Sequence, residues 1–198
     1  MSEGVPFVGL TGGLGSGKST ALAALARLGA EVISSDAIVH ELYAGPDLRD
    51  AVVARFGADV APGGVVDRSL LAERAFASAE DRAWLEQLVW PLVGARVGAW
   101  LAEVRARPVP APAAVVEVPL LFEAGMEGIY DATIAVVADE SVRERRAAAR
   151  GHALVDERAA RQLAQEEKAR RATYAVRNDG SEEELERELS AVLAKLNE

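Results

Sequence analysis

The spacing of apolar positions changes several times along this chain, and each change predicts an element. Residues 5–10 are an apolar run interrupted only by Pro6 and Gly9, which suits a buried strand. After Lys18, the residues Leu22, Leu25, Ala26 and Leu28 fall near helical spacing, and Gly29 can end that helix. Residues 31–34 read as a short second strand. Residues 36–43 and 47–56 read as helices separated by Gly45 and Pro46. Residues 59–67 contain Pro62-Gly63-Gly64 and predict a loop or small hairpin, and 69–77 are helical. Ser78, with Asp81 three residues on, caps a long helix that carries Trp84, Leu85, Leu88, Val89 and, beyond Pro91, Leu92 through Val104. Pro91 should kink or break it. Pro108, Pro110 and Pro112 mark an extended linker.

The second half alternates in the same way. Residues 113–118 predict a third strand, apolar until Glu117, followed by the loop "PLLFEAG". Residues 131–138 predict a fourth strand, 141–150 a strongly basic helix ended by Gly151, 156–168 a further helix and 173–176 a fifth strand. Ser181 with Glu184 forms a capping box ahead of the stripe Leu185, Leu189, Val192, Leu193 and Leu196. Strands alternating with helices imply an α/β fold, a five-stranded parallel sheet covered on both faces. Residues 58–107 contain no clear strand and read as a helical insertion beside the sheet.

Composition narrows the class. The 198 residues suit one domain, and 50% are hydrophobic, enough for a substantial core. A net charge of -9 argues against general nucleic-acid binding, which needs positive charge or patches of it. The absence of cysteine excludes disulfides, thiolate zinc sites and a cysteine nucleophile, and two histidines are too few for a histidine metal cluster. The start MSEGVPFVGL is acidic and is not a signal peptide, and no apolar run reaches membrane-spanning length. These features lead us to expect a soluble, cytoplasmic protein with no membrane partner.

The chemistry concentrates between the first strand and the first helix. Gly12-Gly13-Leu14-Gly15-Ser16-Gly17-Lys18-Ser19 fits G-x-x-x-x-G-K-[ST] without a mismatch. Such a loop wraps backbone N–H groups around phosphate oxygens, and the following helix adds the positive end of its dipole. Lys18 would reach the β- and γ-phosphates of a nucleoside triphosphate, and the Ser19 hydroxyl would ligate Mg²⁺. In open parallel sheets ligands sit beyond the carboxyl ends of the strands. Asp36 and Glu117 fall at two such ends. Asp36 can accept a proton from an attacking hydroxyl, or orient it and a magnesium-bound water, but aspartate there also suits a helix cap; the spacing leaves both open. Glu117 can support the magnesium shell or pair with an arginine, and these too stay open. Arg143, Arg145, Arg146 and Arg150 lie within eight residues, with Arg146 and Arg150 on one helix face. Behind a phosphate loop, that pair reads as an arginine-bearing lid rather than a solvated helix face. His40 and His152 read as surface or packing residues, and Trp84, Trp90 and Trp100 as packing residues.

The stretches "VGLTGGLGSGKST", "WLEQLVWPLV", "VVEVPLLFEAG", "RAAAR" and "ATYAVRNDGS" together resemble dephospho-CoA kinase, a phosphate-loop kinase family, over nearly the whole chain. The resemblance implies a phosphate-loop NTPase three-layer sandwich whose substrates are ATP and dephospho-CoA. The γ-phosphate would go to the ribose 3′-hydroxyl, giving coenzyme A and ADP. It implies a core of about 1–57 and 108–198, a helical insertion of about 58–107 on the acceptor side, with 71–103 supplying much of it, and a lid of about 141–168. By match, Asp36, Lys18, Arg146 and Arg150 would be catalytic. Gly13, Leu14, Gly15, Ser16, Gly17, Lys18, Ser19, Thr20 and Asn178 would bind ATP. Ser19 would hold Mg²⁺, with Asp36 or Glu117 contributing directly or through water. Four positions depart from the family pattern: Ser34 for an aspartate, His40 for an arginine, Trp90 for a histidine and Arg177 for an aspartate. The competing readings are another small-molecule or nucleoside kinase on the same core, and an NTP-switched interaction module. The latter usually carries a guanine-reading Asn/Thr-Lys-x-Asp element, absent here.

Overall fold

A computed structural model describes residues 4–149 and 162–198. It divides into two compact units: residues up to Ser34 with Leu101 onward, and Ser35–Trp100. Arg150, Gly151 and His152 lie outside the described residues.

The first unit is built on a sheet of β1 (Phe7–Gly12), β2 (Glu31–Ser34), β3 (Ala114–Glu117), β4 (Ala132–Val137) and β5 (Tyr174–Arg177). The strands are ordered β2-β3-β1-β4-β5 and every pairing is parallel. This is the α/β sheet expected from the alternating pattern. Because both faces are covered, β1, β3 and β4 are apolar almost throughout rather than alternating. One face packs Val8, Leu10, Val115, Ile134, Val136 and Val176 against α1 (Lys18–Arg27) and α8 (Glu182–Leu196). The α8 stripe Leu185, Leu189, Val192 and Leu193 is buried there, and the Ser181–Glu184 capping box is formed. On the opposite face, a Cβ at Gly9 would stand 2.5 Å from Leu121 Cδ1 and 2.9 Å from the Tyr130 ring. The loop after β3 therefore lies directly on the β1 backbone. Burial there pushes the Tyr130 hydroxyl up to about 12.

The same face carries α7 (Gln165–Arg171), tied to the sheet by Thr133 and Thr173, whose backbone N–H groups each donate to the other's hydroxyl at 3.0 Å. The basic helix α6 is Glu140–Ala149. The helix expected over 156–168 is corrected in its described part. Residues 162–164 are not helical, and the helix begins at Gln165 and runs to Arg171. The Leu163 N–H donates to the Glu123 carboxylate at 2.7 Å, an alternative partner that draws the backbone away from helix.

The second unit contains α2 (Ser35–Ala44), α3 (Pro46–Phe56), α4 (Arg68–Ala75) and most of α5 (Ala79–Arg105). Its core is Tyr43, Leu48, Val52, Val60, Val66, Leu71, Ala75 and Val89. The Asp67 carboxylate caps α4 through the Ser69 and Leu70 N–H groups, and Ser78 Oγ accepts the Asp81 N–H at 3.0 Å ahead of α5. Pro91 does not end α5, which runs 27 residues through it. Gln87, whose carbonyl loses its donor four residues before the proline, is exposed, so water can satisfy it. Trp84 packs edge-on against Phe56, as a packing residue should, but Trp90 is 56% exposed.

Candidate functional site

The phosphate loop occupies the turn from β1 to α1. Gly15 and Gly17 take φ values of +74° and +92°, which other residues rarely adopt. A Cβ at Gly15 would stand 2.6 Å from the Arg143 carbonyl oxygen, and one at Gly17 would collide with the Asn178 amide. The two glycines are thus required by neighbours as well as by the turn. Gly17 is the N-cap residue of α1, and no side chain caps that helix; its first turn holds no acidic residue. In the same chain α4 is capped by Asp67 and α8 by Ser181. The start of α1, with the positive end of its dipole, therefore carries no capping side chain from Gly17 and no carboxylate of its own first turn. The Ser16 hydroxyl is buried with no hydrogen-bond partner among the described residues. A loop of backbone donors backed by a lysine suits a polyphosphate, so these residues fit a nucleoside triphosphate.

Lys18 Nζ lies over the loop and donates to the carbonyls of Gly12 and Gly13, both at 3.1 Å. Ser19 and Thr20 follow in the first turn of α1, with Ser19 exposed. Leu14 is held from two sides: its N–H donates to Gln162 Oε1 at 3.0 Å, and its carbonyl accepts from Arg143 Nε at 3.0 Å. Gly13 packs against the same guanidinium.

Asn178, buried just after β5, braces the loop from behind. Its Nδ2 donates to the Ser16 carbonyl at 2.8 Å, and its own backbone N–H donates to Val137 at 2.8 Å. Arg146 reaches the same residue, with Nη1 donating to the Asn178 carbonyl at 2.8 Å. Arg146 therefore stands beside the loop. Arg177, which departs from the family pattern, pairs with Asp139 and Asp179. The Asp139 N–H it accepts, then the Arg177 guanidinium, holds the Asp179 carboxyl below its ordinary value.

Glu117 ends β3 and is only 8% exposed, and no arginine pairs with it among the described residues. The arginine-paired reading of this carboxylate has no support there. Ser34, the last residue of β2, is in register with Glu117. Asp36 follows two residues later, exposed, inside the first turn of α2 rather than ahead of it. No group of three or more histidine or acidic residues forms a metal cage among the described residues. Mg²⁺ does not require one, since it is commonly held by one or two protein oxygens together with the substrate's phosphates.

Gln162, Glu123 and Lys168 were not singled out from the sequence. Gln162 and Lys168 lie in a helix-like stretch with no motif to distinguish them, and Glu123, though it ends "PLLFE", was given no role there. The match to the dephospho-CoA kinase family model extends over residues 6–184. The chain belongs to that family. A dephospho-CoA kinase from Geobacter sulfurreducens is 37% identical over 194 residues, covering 96% of this chain and 98% of its own. One from Thermus thermophilus is 39% identical over 193 residues, covering 96% and 91%. A crystallised Thermus thermophilus protein superposes with a TM-score of 0.81 at 36% identity over 98% of this chain and 99% of its own. The dephospho-CoA kinase from Campylobacter jejuni shares the fold, with a TM-score of 0.68 at 23% identity over 96% of each chain.

Proposed function

We propose that this protein transfers the γ-phosphate of ATP to the ribose 3′-hydroxyl of dephospho-CoA, giving coenzyme A and ADP. The observation that carries the reading is a complete phosphate loop at the turn from β1 to α1, in a chain matched to this family over 6–184.

Phosphoryl transfer asks little covalent chemistry of the protein; it needs alignment and charge neutralisation. Gly13 through Thr20 hold the ATP phosphates. Lys18 moves from the loop carbonyls to the bridging and terminal phosphate oxygens. Asn178 acts from behind, keeping the Ser16 peptide in place. Asp36, in the first turn of α2, accepts the proton of the attacking 3′-hydroxyl and orients it. Arg146 and Arg150 face the charge that develops on the transferring group. Ser19, with Glu117 or Asp36, holds Mg²⁺, which when bound neutralises the phosphate oxygens. The helical segment of about 58–107 receives the dephospho-CoA, and about 141–168 serves as the lid that excludes water. No helix among the described residues is long and apolar enough to cross a membrane. A cytoplasmic location suits these substrates, and a net charge of -9 argues against a nucleic-acid partner.

An acceptor screen tests the reading. The protein is incubated with ATP, Mg²⁺ and, separately, dephospho-CoA, shikimate, gluconate and nucleosides. Dephospho-CoA should be the preferred acceptor by orders of magnitude. Preference for any of the others rejects it.

A further inference from the structure

The loop "PLLFE" after β3 meets the segment 162–168 through a buried ion pair that the phosphate chemistry above does not use. The Lys168 side chain is 0% exposed, and lysine is almost never so buried without a partner. Its Nζ lies 2.9 Å from Glu123 Oε1 and donates to the Pro119 carbonyl at 2.8 Å. Burial lowers its proton affinity and Glu123 opposes that. The same Glu123 oxygen accepts the Leu163 N–H at 2.7 Å. Pro119 also accepts the Thr11 hydroxyl at 3.3 Å, one residue before the phosphate loop begins. Gln165 binds both backbone groups of Ala138, donating at 2.7 Å and accepting at 3.1 Å. Gln162, at the head of this segment, accepts the Leu14 N–H. Seven residues are thus fixed at the ends of β1, β3 and β4, and their first member touches the phosphate loop.

A buried ion pair is poor at adding stability, because desolvation offsets most of the attraction. Its geometry, however, is demanding, and here that geometry ends at a loop amide. We propose that Glu123 and Lys168 are positioning residues for phosphoryl transfer: their pair fixes residues 162–168 so that Gln162 holds the Leu14 amide and with it the shape of the phosphate loop. Lys168 acts on the reaction through the segment that carries Gln162, since Lys168 itself bonds Glu123 and Pro119 and Gln162 bonds the loop. A preorganised loop aligns the transferring group without rearranging during the reaction. The inference rests on the kinase reading, so its test includes a readout independent of turnover.

The test is a double-mutant cycle of Gln162→Ala and Lys168→Met, read as kcat and KM with ATP and dephospho-CoA, and as amide hydrogen exchange at Leu14. Gln162→Ala should lower kcat about tenfold, the scale of one lost aligning hydrogen bond, with the melting temperature little changed. Lys168→Met should lower kcat in the wild-type background but change it less than about twofold once residue 162 is alanine. Leu14 exchange should quicken in both single variants. Multiplicative losses in the double variant, or Leu14 exchange unchanged by Lys168→Met, overturn the proposal. Glu123→Gln replaces Lys168→Met in the cycle, with the same expectations, should the methionine variant not fold. If the wild type forms no coenzyme A, the kinase reading fails, and Leu14 exchange alone decides whether the anchor sets the loop.

Discussion

Truncating Asn178 isolates the support of the phosphate loop from the groups that touch phosphate. In Asn178→Ala the backbone bonds to Val137 and from Arg146 remain, and the Nδ2 bond to the Ser16 carbonyl is lost. The second side-chain contact, Arg146 Nη2 to Oδ1 at 3.5 Å, is too long to add much. Leaving one buried carbonyl without its donor costs about 1–3 kcal/mol. For a chain of this length each kcal/mol moves the melting temperature by about 2–4 °C, so a loss near 2 kcal/mol gives roughly 4–8 °C. If ATP must then order a loosened loop, the same free energy is lost from binding, a weakening of about 5- to 150-fold. Thermal unfolding by circular dichroism and calorimetric titration with a non-hydrolysable ATP analogue read the two effects. Asn178→Asp keeps the size but cannot donate to Ser16, so it should resemble the alanine variant in ATP affinity. An alanine variant that melts within about 1 °C of wild type and binds the analogue with full affinity would refute the bracing role.

Lys18→Ala should abolish turnover while shifting the melting temperature little, since the side chain lies over the loop rather than in the core; retained turnover would count against the phosphate-loop chemistry. Asp36→Asn keeps the shape and removes the charge, and should cost about 10²–10⁴ in kcat with ATP affinity retained; an unchanged kcat would reduce Asp36 to a structural residue of α2. Arg146→Ala should lower kcat more than it weakens ATP binding, because its charge matters most as the phosphoryl group transfers, and the same is expected of Arg150→Ala; a pure KM effect would contradict this. Tyr130 has a hydroxyl raised from 10.0 to about 12, so its neutral form stabilises the fold fully below pH 10, and that contribution is lost as pH rises toward 12. Melting temperatures of wild type and Tyr130→Phe should therefore converge or cross between those pH values, and parallel curves would contradict the assignment.

The sheet was legible because its strands are short apolar runs bounded by turn residues, and the phosphate loop because its glycines are costly anywhere else. The capping box at Ser181 and the Ser78 cap of α5 were legible for the same local reason: each serine sits three residues before an acidic residue whose N–H its hydroxyl accepts. Of the kink or break expected at Pro91, the break is absent, because the cost of an interior proline depends on whether the freed carbonyl, here that of Gln87, meets water, and exposure there is a tertiary property. The break at 162–164 was hidden for a related reason. The competing acceptor for the Leu163 N–H is Glu123, 40 residues away, and no local pattern reports it. Lys168 was invisible on the same grounds, since in "QEEKARR" it reads as one more solvated charge. The Arg146 side chain lies against Asn178 beside the phosphate loop, as a solvated helix face would not. Asn178 itself carries its effect through Ser16, a backbone contact that sequence spacing cannot supply.

The central claim is tested most directly by following the γ-phosphate. The purified protein is mixed with γ-labelled ATP, Mg²⁺ and dephospho-CoA, and the product is separated and its phosphate located by phosphorus NMR. The account predicts one labelled phosphate on the ribose 3′-oxygen for each ADP formed, and no comparable ADP formation when dephospho-CoA is left out. Label appearing as free phosphate, or on any other oxygen of the acceptor, would contradict it.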